Sequence, residues 1–370
     1  MTDPGNSSVT RPSASAPQTV EAIHELVSSF GGDPDSFDGR MITELIQTSL
    51  RLIPDGHDTG QLKLLNRAMK DMRYAYCVFN RYIGSRKIAI FGSARTPEDH
   101  PDYIAAREFS AAIAEHGWMS ITGAGDGIMK AGHEGPQRPR SFGLSIRLPF
   151  ETTANTVIEG DPKLINFRYF FTRKLMFMSH ADAVAVFPGG FGTQDEMFEA
   201  LTLVQTGKSN PVPIVLLEGT DGRYWDFWDN YVQKNLLAGG MISPEDLGLY
   251  FIAKTVDEAV QHVLRFYRVY HSSRYVGDEL VLRLTRSLTD EQVDILNQEF
   301  GDLVSDGTIR TCRAFADETE HLDLPRLAFK HTRRQQGRVR ALIDRINGFA
   351  PADGPDVTST GRCIDGAEVA

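Results

Sequence analysis

The middle of this 370-residue chain predicts an α/β fold, a doubly wound parallel sheet of Rossmann-like type. Two observations carry that prediction. Short apolar runs alternate with amphipathic helical stretches from Arg86 to Tyr270, the pattern of a parallel sheet covered by helices. Glycine turns follow Phe91, Thr122 and Phe187, at the carboxyl ends of three predicted strands, where such sheets hold ligands. A helical N-terminal segment and a small C-terminal α+β unit flank this core.

Residues 1–20 are rich in Ser, Thr, Pro and Ala and are expected to be a disordered tail without an apolar signal core. Residues 21–84 are expected to be helical. Ile23, Leu26 and Val27 form one apolar face, Ile42, Leu45, Ile46 and Leu50 a second, and Leu62, Leu64, Leu65, Met69 and Met72 a third. Residues 85–270 form the Rossmann-like unit. Its strands are expected at 87–91, 118–122, 142–148, 165–169, 183–187, 212–217 and 249–252. Its helices are expected at 103–116, 128–134, 193–205 and 256–267. Residues 271–350 read as strand 279–284, helix 289–305, strands 308–314 and 324–330, and a basic helix 333–346. Residues 351–370 read as a loose tail.

Composition narrows the function. The chain is 41% hydrophobic and 24% charged, ordinary for a globular protein, with a net charge of −10. That acidic balance argues against nucleic acid or an anionic membrane as the main partner. Three widely spaced cysteines, Cys77, Cys312 and Cys363, suggest a reducing compartment and no metal-ligand cluster. No apolar run is long enough to span a bilayer, so a cytoplasmic location is expected.

The most informative stretch is Val186-Phe187-Pro188-Gly189-Gly190-Phe191-Gly192-Thr193-Gln194-Asp195-Glu196. It reads as a buried strand, a tight glycine turn and the first turn of a helix. Glycines let backbone N–H groups approach an anion, and a helix N-terminus adds partial positive charge. Thr193 and Glu196 also have capping-box spacing, in which the two side chains only satisfy orphan N–H groups. A plain cap does not need Gly189, Gly190 and Gly192 together, which favours a ligand. Thr193 suits both readings.

Arg173-Lys174 lies between Phe170-Phe171 and Leu175-Met176, so at least one charge sits near a core. A guanidinium held by apolar neighbours is suited to oxyanion binding. Gly123-Ala124-Gly125-Asp126-Gly127 is a second glycine turn into a helix. Asp126 would repel a phosphate if it faced one, or else point away and cap the helix. Ser93, after Gly92, either contacts a ligand or caps its turn. Glu151 either lines a ligand pocket or is a solvated loop acid. His133 and His180 read as packed or helix-surface residues rather than metal ligands. The arginines of the last predicted helix, Arg333, Arg334, Arg338 and Arg340, read as a solvated or interface surface. A Walker A lysine, a GxSxG elbow and a marked Schiff-base lysine are all missing.

Residues 188–196 resemble the PGGxGTxxE signature of the LOG-type phosphoribohydrolases, once labelled "possible lysine decarboxylase". The resemblance covers roughly Arg86 to Tyr270, and the flanks look like those of the longer bacterial members. Gly123 to Met129 is similar to the family's GGGPGIMEA segment, with Ala124, Asp126 and Lys130 as departures. The resemblance implies a hydrolase that cleaves the N-glycosidic bond of nucleoside 5′-monophosphates, without a cofactor or metal, acting as a homo-oligomer. It implies Glu196 and Arg173 as catalytic residues. It implies Gly92, Ser93, Gly123, Gly125, Gly127, Glu151, Lys174, Gly189, Gly190, Gly192 and Thr193 as substrate-binding. The alternatives are a non-catalytic nucleotide or molybdenum-cofactor carrier on the same fold, and a regulatory subunit whose C-terminal unit binds a partner protein.

Overall fold

Continuous burial along the central strands sets the architecture. We describe a computed structural model of the protein over residues 13–146, 154–316 and 318–350. The chain divides into two units, Met1–Met69 and Lys70–Ala370.

The first unit holds α1 (Pro17–Ser29) and α2 (Phe37–Arg51). Ser36 caps α2 by accepting from the Gly39 N–H. Ile23 and Val27 are buried, but Leu26, Ile42, Leu45, Leu50, Leu62, Leu64, Leu65 and Met69 are exposed. The predicted helices exist, while most of their predicted apolar faces lie open. The helix α3 (Thr59–Phe79) contains the boundary between the units.

The second unit contains a seven-stranded sheet in the order β4-β3-β2-β1-β5-β6-β7, parallel throughout. Its strands are β1 (Lys87–Phe91), β2 (Met119–Thr122), β3 (Ser141–Ile146), β4 (Leu164–Phe167), β5 (Ala183–Val186), β6 (Ile214–Leu216) and β7 (Tyr250–Ile252). Every residue of β1, β2, β5 and β6 is buried, as expected of strands covered on both faces. Strand alternation sends Val184 and Val186 into one core and Ala183, Ala185 and Phe187 into the other. The first core holds Phe142, Met176, Phe177, Met197 and Trp225; the second holds Tyr103, Phe109 and Val263.

The covering helices are α4 (Pro101–Glu115), α5 (Ile128–Glu134), α6 (Phe170–His180), α7 (Phe191–Gln205), α8 (Tyr224–Tyr231) and α9 (Val256–Phe266). The sequence pattern did not signal α8, whose aromatic run suits strands as well as helices. Burial of Trp225 and Trp228, three residues apart, settles it as a helix. Chain order along the sheet reverses where β5 pairs with β1, with Ile88 opposite Ala183 and Phe91 opposite Val186. That reversal is the switch point at which open α/β sheets place ligands.

A second, antiparallel sheet has the order β10-β11-β9-β8. It comprises β8 (Tyr270–Val276), β9 (Glu279–Leu284), β10 (Val304–Cys312) and β11 (Arg326–His331). With α10 (Asp290–Phe300) and α11 (Gln336–Asn347) it encloses a core of Leu282, Leu296, Phe329, Leu342 and Ile343. Sequence reading placed no strand at β8, whose polar residues hide its role. The expected helix to residue 305 stops at Phe300, and β10 begins at Val304 rather than at 308. Arg340 is buried, not solvated, with Nη1 donating to the Val212 carbonyl at 3.2 Å.

Candidate functional site

Two turns meet at the switch point. The Ser93 N–H donates to the Pro188 carbonyl at 3.1 Å, tying the turn after β1 to the turn after β5. The third turn joins them when the Ile128 N–H donates to the Ser93 carbonyl at 3.0 Å. Between the turns lies a cleft of about 600 Å³. Gly92, Ser93, Gly123, Gly125, Arg173, Gly190, Gly192, Thr193 and Glu196 all line it. The structure thus brings together nine of the thirteen residues predicted from sequence. Gly127 is buried behind the lining, Gly189 and Lys174 lie outside it, and Glu151 falls outside the described residues.

The glycines do different things. Gly127 has a φ of 59°, and a Cβ there would stand 2.3 Å from the Ser93 carbonyl oxygen. A Cβ on Gly189 would meet Thr193 Oγ1 at 2.2 Å. Gly190 and Gly192 have nothing within 4 Å of a Cβ, so the space beside them is the cleft itself. The helix α7 starts at Phe191 with Gly190 as its cap, and Gln194 is the first residue whose N–H bonds back, to the Gly190 carbonyl. The N–H groups of its first turn therefore have no intrahelical acceptor. Thr193 is the third helical residue, already inside the helix, so Thr193 and Glu196 do not form a capping box.

Glu196 is 8% exposed, and its Oε1 lies 3.4 Å from Arg173 Nη2. Burial raises the Glu196 carboxyl above its ordinary value, against the opposing pull of Arg173 and Lys174. The Arg173 guanidinium lies 5.3 Å from the Phe170 ring centroid and 5.7 Å from that of Phe177, the apolar setting its neighbours predicted. Lys174 is held by Glu199 at 2.7 Å and Asp195 at 2.8 Å, and reaches Glu196 only at 4.0 Å. Burial alone would lower its ammonium, but those two carboxylates hold it above the ordinary value. Asp126 is exposed, stands outside the cleft lining, and makes no cap on α5.

Sequence reasoning missed the supports behind the turns. His133 is fully buried, its Nε2 between Thr122 Oγ1 (2.9 Å) and the Phe142 carbonyl (3.0 Å). Asn155 Nδ2 lies 3.1 Å from His133 Nδ1 and donates to the Gly125 carbonyl at 2.9 Å. A neutral ring with its proton on Nε2 satisfies both sides, and burial lowers the His133 pKa to about 4. The network holds a strained turn, since Ala124 has a φ of 65°. On the other side, Tyr224 Oη donates to the Gly189 carbonyl and Gln194 Nε2 to Tyr224 Oη, each at 2.6 Å. Tyr224 carries no local sequence signal, because its partner is 35 residues away.

Fold and cleft together define a Rossmann-like α/β protein with an amide-lined cleft and a buried carboxylate–guanidinium pair. A family model described as "Possible lysine decarboxylase" matches residues 122–263. A probable cytokinin riboside 5′-monophosphate phosphoribohydrolase of Oryza sativa subsp. japonica is 27% identical, over 41% of this chain and 67% of the relative. The cytokinin riboside 5′-monophosphate phosphoribohydrolase of Mycobacterium tuberculosis is 28% identical, over 42% of this chain and 82% of the relative. Over this central region the chain is similar to the LOG-type phosphoribohydrolases. Among solved structures, the molybdenum cofactor carrier protein of Chlamydomonas reinhardtii aligns at 20% identity and a TM-score of 0.35, over 48% of this chain and 96% of that one. A likeness of that score carries no conclusion about function.

Proposed function

We propose that this protein hydrolyses nucleoside 5′-monophosphates to a free base and ribose 5-phosphate. One observation carries the reading: a buried carboxylate paired with a guanidinium sits in the same cleft as main-chain N–H groups that have no intrahelical acceptor. The turn from Gly189 to Thr193, with that from Gly123 to Gly127, would hold the 5′-phosphate. Breaking the glycosidic bond develops oxocarbenium charge on the ribose, which an adjacent carboxylate stabilises. Glu196 takes that part or orients the attacking water, and burial makes it a better base for water than an exposed glutamate. Arg173 positions Glu196 and binds phosphate or ribose oxygens. The residue roles assigned here, and the activity itself, are supported by the similarity to LOG-type relatives and by this geometry.

The test is a panel of nucleoside monophosphates, with released base followed by chromatography. Wild type should release base, and Glu196→Gln and Arg173→Ala should each lose at least ~100-fold in rate while keeping the native fold. Full activity in Glu196→Gln would remove the carboxylate from the mechanism. Tight binding of intact nucleotide with no base released would describe a carrier instead.

A further inference from the structure

A second cavity, of about 510 Å³, opens at the other end of the parallel sheet, against the antiparallel one. Its walls are the residues just ahead of β5, the loop 207–212 after α7, and the strand β8, with Gln336 of α11 at its edge. The cleft described above uses the opposite ends of β5 and α7, so the two cavities share no residue.

The chemistry of this cavity is one-sided. Lys208 and Arg274 both line it, and neither has an ion-pair partner among the described residues. The single acid in its lining, Asp182, is already engaged: its Oδ2 accepts from the Lys87 N–H at 2.8 Å, and its Oδ1 lies 4.0 Å from Arg86. Asn210 uses Oδ1 to accept from Ser273 Oγ at 3.4 Å, which leaves its amide as a donor. Ser272 Oγ lies 2.9 Å from His271 Nδ1. Tyr267 and Tyr270 contribute an aromatic floor.

We propose that this cavity binds a phosphate-bearing small molecule. Two cations without counter-charges, together with hydroxyl and amide donors, match the oxygens of a phosphate dianion. The volume lies in the range of small-ligand sites, and the half-buried Tyr267 offers a surface for an organic portion. The proposal holds whether or not the first cleft hydrolyses nucleotides.

Hydrogen exchange on the full chain tests it, with inorganic pyrophosphate as the probe. Pyrophosphate should slow exchange in residues 207–212 and 271–275. The double variant Lys208→Ala/Arg274→Ala should weaken that protection about tenfold or more, from the loss of two charge-assisted contacts. Any protection in 92–95 and 189–193 should be unchanged. Lys208 is exposed, so Lys208→Glu alone leaves the fold intact and should weaken protection in the same two segments. The proposal is overturned by an absence of protection there, by protection confined to the turns of the first cleft, or by protection that persists unchanged in both variants.

Discussion

Glu196 is a carboxyl in a place that disfavours anions. Its carboxyl is raised above the ordinary value near 4.5 by burial, which Arg173 and Lys174 only partly offset. Two outcomes follow from that sign. The acid limb of kcat/KM for base release should lie above the range of an exposed glutamate, and Lys174→Ala should move it higher by removing a cation. Glu196→Gln should be at least as stable as wild type at pH 8, because the buried ion is gone. That advantage should be full above the folded-state pKa and vanish below the unfolded value, which denaturant titrations at pH 8 and pH 4 will read. Gly192 separates folding from binding. An alanine there meets no neighbour and suits the first turn of a helix, so Gly192→Ala should gain roughly 0.5–1 kcal/mol of stability. Its methyl would enter the cleft, and calorimetry should show weaker nucleotide binding. The sequence made Glu196 and Arg173 legible because both sit in dense local patterns. Lys174 stands outside the cleft lining, since adjacency in the chain to Arg173 does not give a shared direction on a helix. His133 and Tyr224 stayed unread in their supporting roles, because their partners, Asn155 and the Gly189 carbonyl, lie 22 and 35 residues away.

At the scale of elements, strands buried on both faces were the easiest to read and half-exposed ones the hardest. The strands β1, β2 and β5 are buried throughout and mostly apolar, whereas β8 carries a run of polar residues, His271 to Arg274, over a partly covered face. It turns into β9 at Gly277-Asp278, where Gly277 has a φ of 57°, as short hairpins require. The loop before β11 is fixed by a device with no periodic signature. Glu318 Oε1 accepts from Arg283 Nη2 at 2.7 Å, and Oε2 accepts from Arg326 Nε at 2.9 Å, with all three side chains buried. Burial alone would raise the Glu318 carboxyl, but its hydrogen bonds from Arg326, Arg283 and the Phe315 N–H bring it down to about 2. Stability from this clamp is therefore present above the unfolded value and lost as pH falls towards 2. Glu318→Gln would leave two guanidinium groups buried without a counter-charge, and should cost ~3–5 kcal/mol in urea unfolding at pH 7.

At the scale of the whole molecule, Arg340 links the second sheet to the first. Its guanidinium donates to the Val212 carbonyl ahead of β6, pairs with Asp344 at 3.0 Å, and lies 4.6 Å from the Phe266 ring centroid. Arg340→Ala removes all three contacts and should cost ~2–3 kcal/mol, with the antiparallel sheet losing amide protection before the parallel one. No helix among the described residues is long and apolar enough to cross a membrane. The parallel sheet and its switch point were legible as a whole, because alternation and turn chemistry agree along its length. The docking of the last helix was not, because a buried arginine looks the same in sequence as a solvated one. The sheet's strand order also has a bearing on synthesis. Lys87 at the start of β1 meets Asp182 across a gap of 95 residues. At roughly 5–20 residues per second, a ribosome needs about 5–20 s to deliver the second partner after the first. Through that interval β1 has β2 on one side and an open hydrogen-bonding edge on the other, which makes it the stretch of the nascent chain most in need of a chaperone.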